Sequence, residues 1–275
     1  MLHTLPQETV NEIIAHLRGE ERALQSLSIV AKRFTEECRR HLFASIYIGT
    51  KFTRWCDAIP PGEGGLSRYV RLLDMDTTMD GWTNLPLTLR IHLVHLRSFT
   101  QVEHLKICPL NLHKFSKQDL VDYFGHFSTV RSIYIRPTGG RSAVLNFLTL
   151  FPLLETTVIA SPLAWGVSEE SVNPPNLVCR GDLVLKACRI DGGENILSCL
   201  TLPTTRYRRL GLGLVNVVDP TPFERLLETC GSSLESIQFI CCFFGERQPS
   251  PLWNLTNTNT LPAPQFIALR PYYPH

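Results

Sequence analysis

Leu105-Lys106-Ile107 is followed in this chain by Ile133-Tyr134-Ile135, Thr157-Val158-Ile159, Leu183-Val184-Leu185, Leu210-Gly211-Leu212 and Ile237-Gln238-Phe239. In each triplet two outer side chains of apolar or β-branched type flank a middle one of varied character. This is the period-two signature of a strand with one buried face. Counted from first residue to first residue, the triplets stand 28, 24, 26, 27 and 27 residues apart. Val70–Leu72 precedes the series by 35 residues and Ile267–Leu269 follows it by 30.

Several of the gaps hold an amphipathic helix. Ser116-Lys117-Gln118-Asp119 opens one like a capping box, with Leu120, Phe124 and Phe127 on one face. Val144, Leu145, Leu148 and Phe151 make another apolar stripe. Thr221-Pro222-Phe223-Glu224 is a helix start, with proline at the first position and glutamate three residues after the cap; Phe223, Leu226, Leu227 and Cys230 then face inward. A strand–helix unit of nearly constant length predicts an α/β solenoid over residues 67–275. A doubly wound α/β sheet obeys the same alternation, but the steady period favours the solenoid.

Ahead of the repeats, residues 1–48 read as a separate helical module. Val10, Ile13, Ile14 and Leu17 recur at helical spacing, Pro6 suits a first turn, Glu8 suits the positive end of the dipole, and Gly19 reads as a stop. A second segment carries Leu24, Leu27, Ile29 and Val30, and a third runs from Ala31 to Phe43 with Phe34, Leu42 and Phe43. So short a stretch cannot bury a sufficient core by itself, and it predicts a partner or a neighbouring domain. Pro60-Pro61-Gly62-Glu63-Gly64-Gly65 is a breaker cluster, and residues 49–66 are read as the linker.

Composition narrows the function classes. The 275 residues are 44% apolar and 19% charged, as expected of a folded globular chain. A net charge of +2 gives no nucleic-acid footprint. No basic run suits a membrane surface, and no apolar run has the length of a membrane span. The nine cysteines are scattered and form no CxxC pair. Without a secretory signal they read as reduced thiols of a cytoplasmic or nuclear protein, most of them small buried hydrophobes.

The N-terminal stretch, Leu5-Pro6-Gln7-Glu8-Thr9-Val10 through Ile13-Ile14-Ala15-His16-Leu17, Ser28-Ile29-Val30 and His41-Leu42-Phe43, resembles an F-box, above all the F-box-like domains of filamentous and mushroom-forming fungi. The resemblance implies docking onto the adaptor Skp1, and through it a cullin, in a ubiquitin ligase. It places Leu5, Pro6, Val10, Ile13 and Leu17 against Skp1. Ile29, Val30 and Phe34 match the positions that hold the helices together and complete the interface. Thr9 stands where the family usually has Ile or Leu, and Phe34 replaces the common Trp. The repeats look like degenerate leucine-rich repeats, in which the usual Asn or Cys after the strand is mostly missing and Cys108 is the one remnant. An F-box followed by such repeats is a familiar architecture of that family. It implies a substrate-recognition subunit that does no chemistry itself and binds a substrate protein. The alternative is a scaffold outside any ligase, its helices only a cap on the solenoid.

In a leucine-rich strand the residues between and beside the apolar pair face the concave surface. Here that row holds His104, Lys106, Cys108, Ser132, Tyr134, Arg136, Val184, Lys186, Arg209, Gly211, Gln238 and Ile240. Lys106, Tyr134, Arg136, Lys186 and Gln238 are the expected contacts to a substrate, with Tyr134 and Arg136 as anchors, because those residue types are enriched at hot spots. The loops at 160–175 and 136–142 offer a second, less specific surface.

Enzyme and cofactor patterns fail on inspection. His92, His95 and His104 have no carboxylate or cysteine to complete a metal site. Arg136-Pro137-Thr138-Gly139-Gly140-Arg141-Ser142 lacks the ending of a P-loop. Gly211-Leu212-Gly213 lacks a third glycine and lies inside a repeat, and no Gly-x-Ser-x-Gly elbow occurs. Asn254-Leu255-Thr256 is a sequon with a use only in a secreted protein. The reading therefore assigns no catalytic residue, cofactor or metal. The chain ends at Pro271–His275 without a polar capping repeat, so the aromatic tail is expected to cover the last repeat unless the chain continues.

Overall fold

The computed structural model of the protein describes residues 5–49, 65–76, 93–138, 141–160, 180–190, 200–201, 205–217 and 221–239. Three helices lead: α1 (Gln7–His16), α2 (Glu21–Val30) and α3 (Lys32–Leu42). Gly19, at φ +101°, turns the chain between α1 and α2, where only glycine sits without strain. Val10, Ile14, Leu24, Phe34 and Cys38 form a small core of their own, with Leu5, Leu17, Leu27 and Leu42 packed against it.

Eight strands follow in one parallel sheet: β1 (Ser45–Ile48), β2 (Leu72–Asp76), β3 (His104–Asn111), β4 (Ser132–Thr138), β5 (Thr156–Ala160), β6 (Arg180–Ile190), β7 (Arg206–Val217) and β8 (Ser236–Phe239). Each pairs with the next in chain order, and the order never reverses. A parallel neighbour demands a crossover. Helix α4 (Leu93–Arg97) lies in the crossover from β2 to β3, α5 (Lys117–Phe124) in that from β3 to β4, α6 (Arg141–Leu148) in that from β4 to β5, and α7 (Thr221–Cys230) in that from β7 to β8.

The expected strand register holds to the residue over most of the sheet. Leu105, Ile133, Thr157, Leu183, Leu210 and Ile237 stand side by side across β3 to β8. The first expected run differs. Leu73, not Val70, aligns with Leu105, because Leu73-Asp74-Met75 supplies the buried–half-buried–buried pattern. Ser45–Ile48, assigned with the helices in the sequence reading, is a strand: Ile46 aligns with Leu73, and Ile46 and Ile48 join the sheet's core. The change from helical module to sheet therefore falls at Ala44, whose carbonyl accepts from the N–H groups of Arg71 and Leu72 at 2.8 and 2.9 Å. Of the expected linker, only Gly49 and residues 65–66 are among the described residues, the latter opening a 3₁₀ turn at Leu66–Tyr69. The expected strand at Ile267–Leu269 and the C-terminal tail lie outside them.

One large core fills the space between the sheet and its helices. Leu105, Ile107, Ile133, Ile135, Ile159, Leu183, Leu185, Leu210 and Leu212 come from strands, and Leu120, Phe124, Val144, Phe147, Leu226 and Cys230 come from helices. In β2, β3 and β4 the alternate residues stay half-buried or exposed, so among the described residues one face of the sheet is covered by helices and the other is open. A doubly wound sheet reverses its strand order, and the order of the described strands does not reverse.

Just before the strands, Arg71, Glu103, Arg131 and Glu155 follow one another along one rung. The carbonyls of Arg71, Glu103 and Arg131 each accept two N–H groups from the next repeat. Their side chains alternate in sign; Arg71 pairs with Glu103 at 3.4 Å and Arg131 with Glu155. Exposed pairs of this kind contribute little each, but like charges side by side would cost as much. Gly181 continues the rung at φ +82°, and a Cβ there would stand 2.0 Å from the Glu155 carbonyl oxygen. Only glycine fits so close to a neighbouring backbone.

The capping box read from the sequence is present. Ser116 Oγ accepts from the Asp119 N–H at 3.1 Å, and Asp119 Oδ2 accepts from the Ser116 N–H at 3.1 Å. Ser116→Ala is expected to cost about 1 kcal/mol of stability in urea unfolding, with Ser116→Asp recovering most of it.

Candidate protein-interaction surfaces

Two surfaces stand out, one on each module. On the helices, the eight residues expected to serve docking separate into two groups. Val10 and Phe34 are buried in the module's own core, and Leu5 and Leu17 pack against it half-buried. Their side chains hold the three helices together. Pro6 is exposed, and Ile13, Ile29 and Val30 are 49%, 85% and 67% exposed. Ile29 and Val30, read from the sequence as positions that hold the helices together and complete the interface, point outward from the last turn of α2. The chain breaks there because Ala31 is extended, at φ −154° and ψ 143°, and starts α3 in a new direction.

The start of α1 is pinned to this break. Arg33 Nη2 donates to the Leu5 carbonyl at 2.9 Å, and Gln7 Nε2 donates to the Arg33 carbonyl at 3.2 Å. Leu5 and Pro6 therefore sit beside the α2–α3 junction, and one end of the module carries exposed Pro6, Ile29 and Val30. Exposed β-branched side chains at a helix end gain nothing for the isolated fold, and clustered ones mark contact surfaces.

The module is also clasped to the sheet. Tyr69, in the turn before β2, donates its hydroxyl to Glu36 Oε2 of α3 at 2.5 Å, and Arg68 pairs with the same carboxylate at 2.9 Å. The Tyr69 hydrogen bond, reinforced by Arg68 and Arg40, holds the Glu36 carboxyl below its ordinary range. Arg68 stacks over the Tyr69 ring at 4.7 Å.

The second surface is the open face of the sheet. Its central row, in register, is Tyr47, Asp74, Lys106, Tyr134, Val158, Val184, Gly211 and Gln238. Lys106 donates to Asp74 Oδ2 at 2.7 Å, and this bond raises its affinity for the proton. The Lys106 ammonium also stands 5.9 Å from the Tyr134 ring centroid, and Lys186, reaching across from β6, stands 5.3 Å from the same centroid. Three of the five expected contacts thus meet at one ring. Exposed Arg136 follows two residues after Tyr134 along β4. Gln238 is exposed on β8, four strands from Tyr134, or about 19 Å at ordinary strand spacing.

An acidic margin went unread in the sequence. Asp74 and Asp76 of β2 border the cationic patch, and Tyr47 of β1 donates to Asp76 Oδ2 at 2.7 Å. That bond raises the Tyr47 phenol above its ordinary range. Ser45-Ile46-Tyr47-Ile48 carried the signal, a strand alternation directly after the third helix.

Among the described residues no group of His, Cys, Asp and Glu can hold a metal ion. His95 lies on α4, and His92 lies outside the described residues. Cys108 faces the open side half-buried; burial raises its thiol pKa despite nearby Arg136 and Lys106, so it stays protonated. No described helix is long and apolar enough to cross a membrane. Compared with known proteins, the chain matches no family model, and no curated protein is similar to it in sequence.

Proposed function

We propose that the chain is an F-box substrate receptor, in which the helical module docks Skp1 and a leucine-rich-repeat-type solenoid presents a substrate protein to a cullin ubiquitin ligase. The observation that carries this reading is the apolar end of the module, where Ile29 and Val30 are 85% and 67% exposed beside Pro6. The sequence there resembles an F-box, and the internal core of the described residues is complete without these side chains. Docking falls to Pro6, Ile13, Ile29 and Val30, with Leu5 and Leu17 at the margin. Val10 and Phe34 act indirectly, by fixing the helices.

The solenoid reading draws support from the unreversed strand order, the repeat of 24–32 residues between aligned positions, and a second face left open among the described residues. All-parallel sheets with an open face are otherwise rare, and a curved repeat array gives such a face a use in binding. The receptor does no chemistry. It raises the effective concentration of a substrate lysine near a charged conjugating enzyme. The clasp of Glu36, Tyr69 and Arg68 suits that task, because a receptor must hold its two binding surfaces in fixed relation.

Co-expression with Skp1 tests the reading. Wild type is expected to retain Skp1 through affinity purification, and Ile29→Asp/Val30→Asp to lose it with unchanged melting temperature, since neither side chain belongs to a core. A folded wild type that leaves Skp1 behind would make the helices a cap and the chain an interaction scaffold.

A further inference from the structure

We propose that the first turn of α3 positions the docking end of the helical module. Thr35 fixes the last turn of α2 and Arg33 fixes the start of α1, so that Pro6, Ile29 and Val30 meet a partner as one preset surface. The inference rests on the reading that this end docks Skp1, and its test separates the two.

The need for such a device follows from where the apolar residues sit. Ile29 and Val30 close the last turn of α2, and Pro6 stands at the N-cap of α1. Helix ends fray, because the last carbonyls and the first N–H groups of a helix lack intrahelical partners. Pro6 makes no side-chain cap bond, and α2 runs straight into extended Ala31. Apolar side chains carried on fraying ends must be ordered when a partner binds, and that ordering is subtracted from the affinity.

The first turn of α3 removes this cost at both ends. Thr35 Oγ1 donates to the Ser28 carbonyl at 2.8 Å, so one of the last carbonyls of α2 gains a partner from outside its own helix. Arg33 Nη2 donates to the Leu5 carbonyl at 2.9 Å, and Gln7 Nε2 returns a bond to the Arg33 carbonyl at 3.2 Å. Between these two residues Phe34 is sunk in the module's core, and the Arg33 guanidinium stands 5.6 Å from its ring centroid. The turn is thus anchored at its middle and reaches both ways from there. Thr35 and Arg33 are themselves half-buried. They act through bonds made inside the module, and neither has to hold a donor out to the partner. Valine has nearly the shape of threonine, so the hydroxyl is what Thr35 adds at its position.

Biolayer interferometry of the full chain on immobilised Skp1 tests this, with circular dichroism to show that each variant is folded. Thr35→Val is expected to weaken binding about fivefold and Arg33→Met about tenfold, because each leaves the competent arrangement only partly populated. Thr35→Ser, which keeps the hydroxyl, should restore binding, and Arg33→Lys, which keeps one donor, should restore part of it. Both losses should be the same at low and at high salt, since a bond to a neutral carbonyl inside the module is little screened. Cys38→Ala supplies the comparison for a merely structural effect. It removes a fully buried group from the same core, further along α3, and should leave the Kd unchanged while the chain stays folded. Wild-type affinity in both Thr35→Val and Arg33→Met would overturn the inference and leave the receptor reading standing. So would an equal loss in Cys38→Ala, or an Arg33→Met loss that disappears at high salt, which would make Arg33 a direct charge contact. A folded wild type that does not bind Skp1 would overturn the receptor reading, and this inference with it.

Discussion

Phe147→Ala is expected to lower the stability of the protein by about 4 kcal/mol. Phe147 is fully buried on α6 and stands edge-on to Phe124 of α5, with ring centroids 5.2 Å apart and planes at 86°. It meets Phe151 at 5.2 Å and 73°, and Phe124 in turn meets Phe115 at 6.0 Å. These rings join two successive crossovers under β3, β4 and β5. Removing the central one discards its transfer free energy, opens a cavity between two elements, and breaks two edge-to-face pairs worth about 1 kcal/mol each. Rings braced from three sides cannot collapse into the gap. Phe147→Leu, which keeps most of the volume, should cost about half as much. Urea unfolding of the three proteins decides the matter. A Phe147→Ala cost below about 1 kcal/mol would mean that the crossovers repack freely and that the aromatic row does not organise the core.

The parts of the fold that were legible in the sequence are those where a local pattern and a long-range repeat agree. Triplets such as Leu183-Val184-Leu185 announce a strand on their own, and their spacing places them side by side in the sheet. The capping box at Ser116 fixed a helix start because its hydrogen bonds are local. Val70–Leu72 misled for the same reason that the others succeeded: its alternation is genuine, but Val70 serves the core from the turn before β2, and the strand needs Leu73 and Met75. Ser45–Ile48 was hidden by its position, since an alternation of four residues against the end of a helix offers only a short period to read.

The site was half legible. Alternation alone puts Lys106 and Tyr134 on the open face, but only tertiary placement brings Lys186 from β6 to a ring on β4. On the helices, periodicity groups Val10, Ile13, Ile14 and Leu17 together as apolar. It does not say which of them the small core consumes. Val10 and Ile14 are consumed and Ile13 is not, because a three-helix module with one short seam takes in only part of a wide apolar stripe.

Acid is expected to weaken the protein through His126. Its Nε2 lies 3.0 Å from the Leu96 carbonyl of α4, so that nitrogen carries the proton and donates it. Nδ1 is buried without a hydrogen-bond partner, and the ring leans on Phe127 with centroids 3.9 Å apart. A second proton would place a charge in apolar surroundings near Arg97. Burial accordingly lowers the pKa to about 4, with Arg97 adding to the fall and the Leu96 bond opposing it. In the unfolded chain the ring titrates near its ordinary value of about 6.5. Above that pH both states are neutral and the full stability is present. Between about 6.5 and about 4 the unfolded state binds the proton first, so stability falls as pH falls. The loss from this residue amounts to about 3 kcal/mol by pH 4. Glu36, with its carboxyl held low by Tyr69, adds an acid loss of its own that any His126 variant shares. The test is therefore a difference. His126→Gln keeps a donor for the Leu96 carbonyl and cannot be protonated. Urea midpoints of wild type and variant, measured from pH 7.5 to 4, should converge as pH falls, with wild type the steeper. Parallel curves would mean that His126 takes up its proton in the folded chain as readily as in the unfolded one, and that the packing of α4 against α5 leaves room for the charge.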